Sequence, residues 1–311
     1  MEMVRRSDEL LTKTGYKFKY NAAFSIKFLS ITFGMYFIIF NLSLELWNSP
    51  RENIMSYSIS EFILISWPQF VIHFAESRFA LGSLLHYTRF FAVNMILESL
   101  YRSNGGKNFL LDAHYSDLGF LSKIYSFEKK PDVSNEYVLY CTMKSHYTVY
   151  RATLIWSNLF GVIIMLSALI QFTSIAFAIC FCYYNINTKP VATVTWLLWA
   201  LLRFYELCRK TYIAHLVRSE ANKCIHFVDK LLMLQWNIAM KRRLNIFSLQ
   251  LNHCKVKYTA CGLFEVDETL IFTIVASATM YLIVTYQFQQ GQMTDCGNRS
   301  ITTTIKGLEI L

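Results

Sequence analysis

Five side chains in one uncharged run near the C-terminus have types and a spacing that suit ion conduction. Thr273, Ser277, Met280, Val284 and Gln287 follow one another at intervals of four, three, four and three residues, so they share one face of a helix. Small hydroxyls keep a membrane pathway wettable, while hydrophobic side chains on that face close it by dewetting. The pattern predicts a pore-lining helix. A helix-packing seam with small polar residues is the other interpretation.

The end of this run carries further candidates for the pore. Tyr281 and Phe288 flank the face that holds Gln287. Glutamine amides arranged around an axis would offer carbonyl dipoles to a dehydrating cation, and Val284 or Phe288 would close the path. We therefore predict that Gln287 and Phe288 form a constriction at the outer mouth rather than an interfacial anchor. The predicted pore residues are Thr273, Ser277, Tyr281, Val284, Gln287 and Phe288.

Polar and aromatic side chains inside other apolar stretches are candidates for binding a small molecule. Glu61 is a carboxylate in an apolar stretch, where ionisable groups are functional candidates because their burial is costly. A helix-packing residue bonded to a neighbouring serine is the alternative for Glu61. Gln171 likewise faces either the bundle interior or a helix contact. The predicted ligand-binding residues are Tyr57, Glu61, Gln171 and Trp196.

Catalytic and metal-binding signatures are absent from the sequence. The seven histidines and eight cysteines have no zinc or metalloprotease spacing, and neither a phosphate-binding glycine loop nor a nucleophile elbow is present. We therefore expect no enzyme activity, no catalytic residues, no metal site and no cofactor. Most cysteines should be buried reduced thiols.

The elements that carry these residues must lie in a membrane. The chain is 54% hydrophobic and 16% charged, whereas ordinary soluble domains are about 25% charged. We predict an all-α polytopic helix bundle, a single transmembrane domain over residues 1–311. The third apolar stretch is longer than a bilayer requires, so it should be tilted, bent or continued beyond the bilayer. The predicted spans are residues 24–47, 54–74, 152–184, 191–209 and 269–290.

Lysine and arginine are distributed unevenly between the segments that join these spans. With the N-terminus inside, the inner segments 1–23, 75–151 and 203–257 hold 5, 9 and 11 of them and the outer segments hold four. Basic residues accumulate on the cytoplasmic side, so we predict an inside N-terminus and an outside C-terminus. This segregation explains the net charge of +9, and we expect no nucleic-acid partner. Asn298 begins a glycosylation sequon on the predicted outer tail.

The inner segments 75–151 and 210–268 are predicted to be cytoplasmic and helical. Apolar residues recur every three or four positions from Val217 to Ile238, with charges between them. This periodicity indicates an amphipathic helix that needs a packing partner.

The last span resembles the signature of the insect gustatory receptors. That family marks its final span with Thr-Tyr, five hydrophobic residues and Gln-Phe, preceded by Gly-x-Phe-x-x-Asp. Met280 stands where the family has threonine, and the stretch SNLFG at residues 157–161 adds to the resemblance. The matching positions are Gly262, Phe264, Asp267, Met280, Tyr281, residues 282–286, Gln287 and Phe288.

The resemblance implies a gustatory chemoreceptor of the plasma membrane, a subunit of a ligand-gated, non-selective cation channel. Its expected ligands are small non-volatile tastants, with bitter compounds favoured. Family members imply a tetramer, of this chain alone or with other gustatory receptors, with one final span from each subunit around a central pore. The five spans would correspond to the family's third to seventh, so the first two are expected to be absent. A non-conducting accessory subunit or a small membrane transporter remains the alternative function.

Overall fold

The structure, a computed structural model, describes residues 2–17, 39, 59–105, 126–127, 133–185 and 190–308. Nearly all of the predicted first span, residues 24–47, lies outside this set, as does Tyr57. The described residues form long helices with two very short strand pairs, which confirms the all-α fold.

Six helices make up most of the described chain. The third and fourth are much longer than the apolar stretches within them. They are α1 (Glu2–Lys13), α2 (Ile59–Ser103), α3 (Asn135–Asn185), α4 (Pro190–Leu232), α5 (Ile238–His253) and α6 (Glu268–Leu308).

Two antiparallel strand pairs connect these helices. β1 (Tyr16–Lys17) pairs with β2 (Ser126–Phe127), so Tyr16 lies opposite Phe127. β3 (Thr259–Ala260) pairs with β4 (Phe264–Glu265) immediately before α6 begins. The tight turn between β3 and β4 has positive φ at Cys261 and at Gly262, 52° and 75°. Glycine adopts this left-handed conformation without steric cost.

Three helices among the described residues are long and apolar enough to cross a membrane. They are Asn135–Tyr183 of α3, Pro190–Leu232 of α4 and Glu268–Phe288 of α6. The predicted third span is therefore part of a longer helix that begins well before residue 152. The fourth apolar stretch continues without a break into the amphipathic region that was expected after it.

The amphipathic helix predicted from Val217 to Ile238 ends earlier than its periodicity indicated. Helix α4 stops at Leu232, and a new helix, α5, begins at Ile238. The side chain of Asn237 accepts a hydrogen bond from the backbone N–H of Met240 at 2.8 Å, which is the usual N-cap interaction of a helix start. The apolar periodicity spans this break because both helices pack against the same core.

The main hydrophobic core lies between α2, α3, α4 and α5. Its fully buried side chains include Phe90, Ile96, Val217, Val228 and Phe247. These residues belong to the segments predicted to be cytoplasmic. The amphipathic faces of those segments therefore bury one another.

Helix α1 is attached to this core by polar contacts. The guanidinium of Arg89 donates to both carboxylate oxygens of Asp8, at 3.0 and 2.9 Å. The hydroxyls of Ser7 and Ser145 are 2.8 Å apart and buried. The bidentate Arg89–Asp8 pair is stronger and more directional than an ordinary hydrogen bond. Together with the serine contact it fixes α1 across α2 and α3.

Candidate functional site: an exposed helix and an aromatic cavity

Helix α6 packs against the rest of the chain along one narrow stripe. Leu270 and Ile274 are buried in a cluster with Ile175 of α3 and Leu207 of α4, and Ala278 is buried one turn further on. In the most apolar stretch of this helix, only 17% of the residues are buried. A single helix this apolar and this little covered needs lipid or other protein around the rest of its circumference.

The predicted pore residues lie mainly away from this packed stripe. Thr273, Ser277, Val284 and Gln287 are exposed, and the side chain of Phe288 is 73% exposed. The hydroxyl of Thr273 donates to the carbonyl of Thr269, one turn earlier in the same helix. No other described part of the chain covers this face. If the face is a helix-packing seam, the helix that packs on it is therefore not among the described residues of this chain.

Tyr281 takes a different position from the other predicted pore residues. It lines a cavity of about 570 Å³ between α3 and α6. A volume of this size suits a small organic molecule. The lining is mostly aromatic and aliphatic, with a few hydroxyl and thiol groups. The lining residues are Phe172, Thr173, Ala176, Phe177, Cys180, Phe181, Tyr281 and Thr285.

Trp196, predicted to bind ligand, lies behind this cavity. Its ring is 5.1 Å from that of Phe177 and 5.4 Å from that of Phe181, measured between centroids. Such aromatic pairs are worth about 0.5–1.5 kcal/mol beyond the area they bury. Trp196 on α4 is thus joined through two α3 phenylalanines to the cavity that Tyr281 lines.

The side chain of Gln171, also predicted to bind ligand, is not among those that line this cavity. Glu61 lies in the third residue position of α2, Tyr57 lies outside the described residues, and Gln171 is buried in a polar cluster. The amide of Gln171 donates to Glu76 Oε1 at 3.1 Å and accepts from Lys210 Nζ at 2.6 Å. The structure therefore separates Gln171 from Trp196.

A buried ionic network around Gln171 was missed by the sequence analysis. Lys210 Nζ also donates to Glu76 Oε1 at 3.1 Å and to Ser167 Oγ at 2.9 Å. One turn away, Glu206 bonds to His73 Nδ1 at 2.8 Å and accepts from Arg203 Nη1 at 2.9 Å. The signal was present in the sequence, since Arg203, Glu206 and Lys210 recur every three or four residues at the end of an apolar stretch.

The β3–β4 hairpin positions the start of α6. The backbone N–H of Thr259 donates to the hydroxyl of Ser157 at 3.0 Å, which ties β3 to α3. Asp267 accepts from the backbone N–H of Thr269 at 3.0 Å, and so caps the first turn of α6. The two motifs that carried the family resemblance, around Ser157 and around Asp267, therefore belong to one packed unit.

Ion pairs hold the same hairpin to α4. Arg218 lies 3.4 Å from Glu265 and 3.8 Å from Asp267, and His215 lies 3.3 Å from Glu268. These side chains are 24–62% exposed, so each pair contributes little stability by itself. No group of three or more His, Cys, Asp or Glu side chains that could hold a metal ion lies within the described residues.

Comparison with known proteins places this arrangement among chemosensory receptors. A family model described as "7tm Chemosensory receptor" matches residues 1–292. The solved structure of the insect olfactory receptor OR5 from Machilis hrabei, in complex with eugenol, aligns with 86% of this chain and 68% of that chain. The TM-score is 0.56 and the sequence identity 12%, so this match concerns the fold.

Curated relatives from Drosophila melanogaster match shorter parts of the chain. "Putative gustatory receptor 28a" is 40% identical over 83 residues, 27% of this chain. "Gustatory receptor for sugar taste 43a" is 24% identical over 151 residues, 47% of this chain. These alignments span 18% and 35% of the lengths of the two relatives. The chain belongs to the 7tm chemosensory receptor family, and its resemblance to the insect gustatory receptors is confirmed.

Proposed function

We propose that this chain is a subunit of a ligand-gated, non-selective cation channel that detects small non-volatile tastants at the plasma membrane. The observation that carries the proposal is the division of α6 into two faces. Leu270, Ile274 and Ala278 pack on the rest of the chain, while Thr273 and Gln287 remain exposed on another face. A membrane helix with an uncovered polar face needs either water or polar partners there.

Symmetric assembly would satisfy that requirement. Four copies of α6 around an axis would turn Thr273, Ser277, Val284 and Gln287 towards a shared pathway. The amide oxygens of Gln287 would solvate a cation, and Val284 would provide a hydrophobic constriction. This supports a tetramer built from this chain alone or with related receptors.

The ligand would act through the aromatic residues between α3, α4 and α6. The rings of Trp196, Phe177 and Phe181 are in contact, and Phe177 and Phe181 line the cavity together with Tyr281. A ligand that binds near Trp196 shifts the channel only if it binds one conformation better than the other. Tyr281 on the pore helix is the residue through which that difference would reach α6.

The chemistry of this cavity favours apolar tastants over sugars. Four of its eight lining residues are aromatic, and its polar groups are hydroxyls and a thiol. A sugar needs a dense set of hydrogen-bonding partners, because each unpaired polar group costs free energy on burial. We therefore infer that bitter or other largely apolar compounds are the ligand class, although one relative is named for sugar taste.

The experiment is to express the chain in cells that lack other chemoreceptors and to record currents while a panel of tastants is applied. Surface labelling of the same cells establishes that the protein is present at the plasma membrane. Tastant-evoked cation current supports the proposal. Absence of current from surface-localised protein contradicts it, and co-purification with a conducting relative would then identify an accessory subunit.

A further inference from the structure

Two buried ionic clusters join α2, α3 and α4. The first contains Glu76, Ser167, Gln171 and Lys210, and the second contains His73, Arg203 and Glu206. Their side chains are at most 3% exposed within this single chain, so protein atoms alone shield them from water and lipid. Together they hold the carboxylates of Glu76 and Glu206, the basic side chains of Arg203 and Lys210, and the imidazole of His73.

These clusters lie directly beside the contact between α4 and the pore helix. Leu207 follows Glu206 in α4 and belongs to the same buried apolar cluster as Ile274 of α6. Ile175, in the same apolar cluster, lies one turn after Gln171 in α3. Residues three or four positions apart on a helix are neighbours. The polar network and the apolar contact to α6 are therefore adjacent layers of the same helix packing.

The network restricts how α4 can move against α2 and α3. Lys210 Nζ has three partners within 3.1 Å, contributed by two different helices. A rotation or axial shift of α4 would break these bonds while leaving charges buried, which is strongly unfavourable. Packed interiors of this kind have discrete alternative arrangements rather than continuous ones. The position of Leu207 against α6 is consequently tied to the integrity of the network.

We propose that the Glu76–Lys210 pair and the neighbouring Arg203–Glu206–His73 cluster are positioning groups for the pore helix. They hold α4 so that Leu207 stays against Ile274, and thereby set the equilibrium between the resting and open channel. The effect on the resting–open equilibrium rests on the proposed channel function. The positioning of α4 against α6 concerns geometry alone, and is tested separately from conduction.

The test uses cysteines introduced at Leu207 and Ile274 as a reporter of that contact. The rate of disulfide formation after addition of membrane-permeant iodine is measured in cell membranes. Variants that carry only one of the two introduced cysteines serve as controls for the eight native ones. Glu76→Gln and Lys210→Met should each slow cross-linking by about tenfold, within the range that mutations in coupling networks produce. The charge exchange Glu76→Lys with Lys210→Glu should restore the rate, because the pair is re-formed.

Two further variants complete the design. Ser167→Ala removes one contact of Lys210 and should slow cross-linking less, which gives a milder test if a charge-removing variant does not reach the surface. Arg5→Met removes a charge from the Arg5–Glu9 pair, whose side chains are 76% and 63% exposed. Because that pair lies outside the network, the Arg5 variant should cross-link at the parent rate.

Currents recorded from the same cells separate the positioning of α4 from its effect on channel gating. If the parent conducts, Glu76→Gln should alter basal current and tastant potency, and the charge exchange should restore both. If the parent does not conduct, the channel function fails while the cross-linking rates still decide the positioning role. Unchanged cross-linking in Glu76→Gln, Lys210→Met and Ser167→Ala would overturn the inference, as would a charge exchange that cross-links no faster than the single variants.

Discussion

A Cβ atom on Gly161 would lie 2.9 Å from the backbone nitrogen of Cys261. Gly161 is in the middle of α3, and Cys261 forms the turn of the β3–β4 hairpin that leads into α6. Helix and hairpin can approach this closely only because position 161 has no side chain. The neighbouring bond between Ser157 and Thr259 shows that the hairpin is held at both ends of one helical turn.

Gly161→Ala should therefore push the hairpin off α3 and destabilise the protein by about 1–3 kcal/mol, the usual cost of overpacking. Asn158→Ala, at an exposed neighbouring position, should change stability by less than about 0.5 kcal/mol. Thermal unfolding of the detergent-solubilised variants measures both. Equal melting temperatures for the two variants would show that the hairpin can move away from α3 without loss of stability.

Trp156 and Gly82 form a second close contact, between α3 and α2. A Cβ atom on Gly82 would overlap the indole ring of Trp156, and the indole N–H donates to the carbonyl of Phe79 at 3.3 Å. Gly82→Ala should lower stability in the parent but cost much less in a Trp156→Ala background, where the ring is absent. Unfolding measurements on all four proteins give the coupling energy. Additive effects would contradict this contact.

His86 should make stability depend on pH. Burial, reinforced by the nearby positive charge of Arg89, lowers the pKa of His86 from 6.5 to about 4. The residue lies outside the predicted span 54–74 and outside the three apolar candidate spans. Because the unfolded state binds a proton below pH 6.5 and the folded state does not, stability is fully present above pH 6.5. It is then lost progressively as the pH falls towards 4.

His86→Gln should flatten this dependence, which amounts to up to about 3 kcal/mol for a shift of this size. Chemical unfolding at several pH values between 4.5 and 7.5 measures the slope. The same substitution at His226, which is exposed, serves as the control. An identical slope in the parent and His86→Gln would show that another group is responsible.

The sequence allowed the faces of α6 to be predicted because helical periodicity is a local property. Thr273, Ser277 and Gln287 could be placed on one face from their spacing alone. The ionic network could not be predicted in the same way, since Gln171 and Glu76 are 95 positions apart and Lys210 and Glu76 are 134 apart. Only the tertiary arrangement of three helices brings them together.

The sequence patterns also could not predict where α3 begins or that the short strands form. The apolar stretch at residues 152–184 marks where a helix is hydrophobic and not where it begins, so continuation beyond the bilayer was one of the alternatives but the start at Asn135 could not be predicted. The two-residue strands of the hairpin are too short to show an alternating pattern. Gly262 could have indicated the turn, since its left-handed conformation favours glycine.

Trp196 should affect the response to ligand rather than the properties of the open pore. Trp196→Ala removes the contacts with Phe177 and Phe181 and should raise the tastant concentration for half-maximal current by about tenfold, the effect of losing roughly 1.4 kcal/mol. Trp196→Phe should retain most of the potency, and Leu197→Ala, at an exposed position, should retain all of it. Unchanged potency in Trp196→Ala would remove this residue from the ligand pathway.

Gln287 of α6 provides the most direct test of the proposed cation pore. Relative permeabilities for sodium, potassium and calcium are measured from reversal potentials in cells that express the parent, Gln287→Ala or Gln287→Glu. A fixed negative charge at the constriction should raise calcium permeability in Gln287→Glu, and loss of the amide dipole should alter the sodium-to-potassium ratio in Gln287→Ala. Permeability ratios and basal currents identical to the parent in both variants would contradict a pore lined by this face of α6.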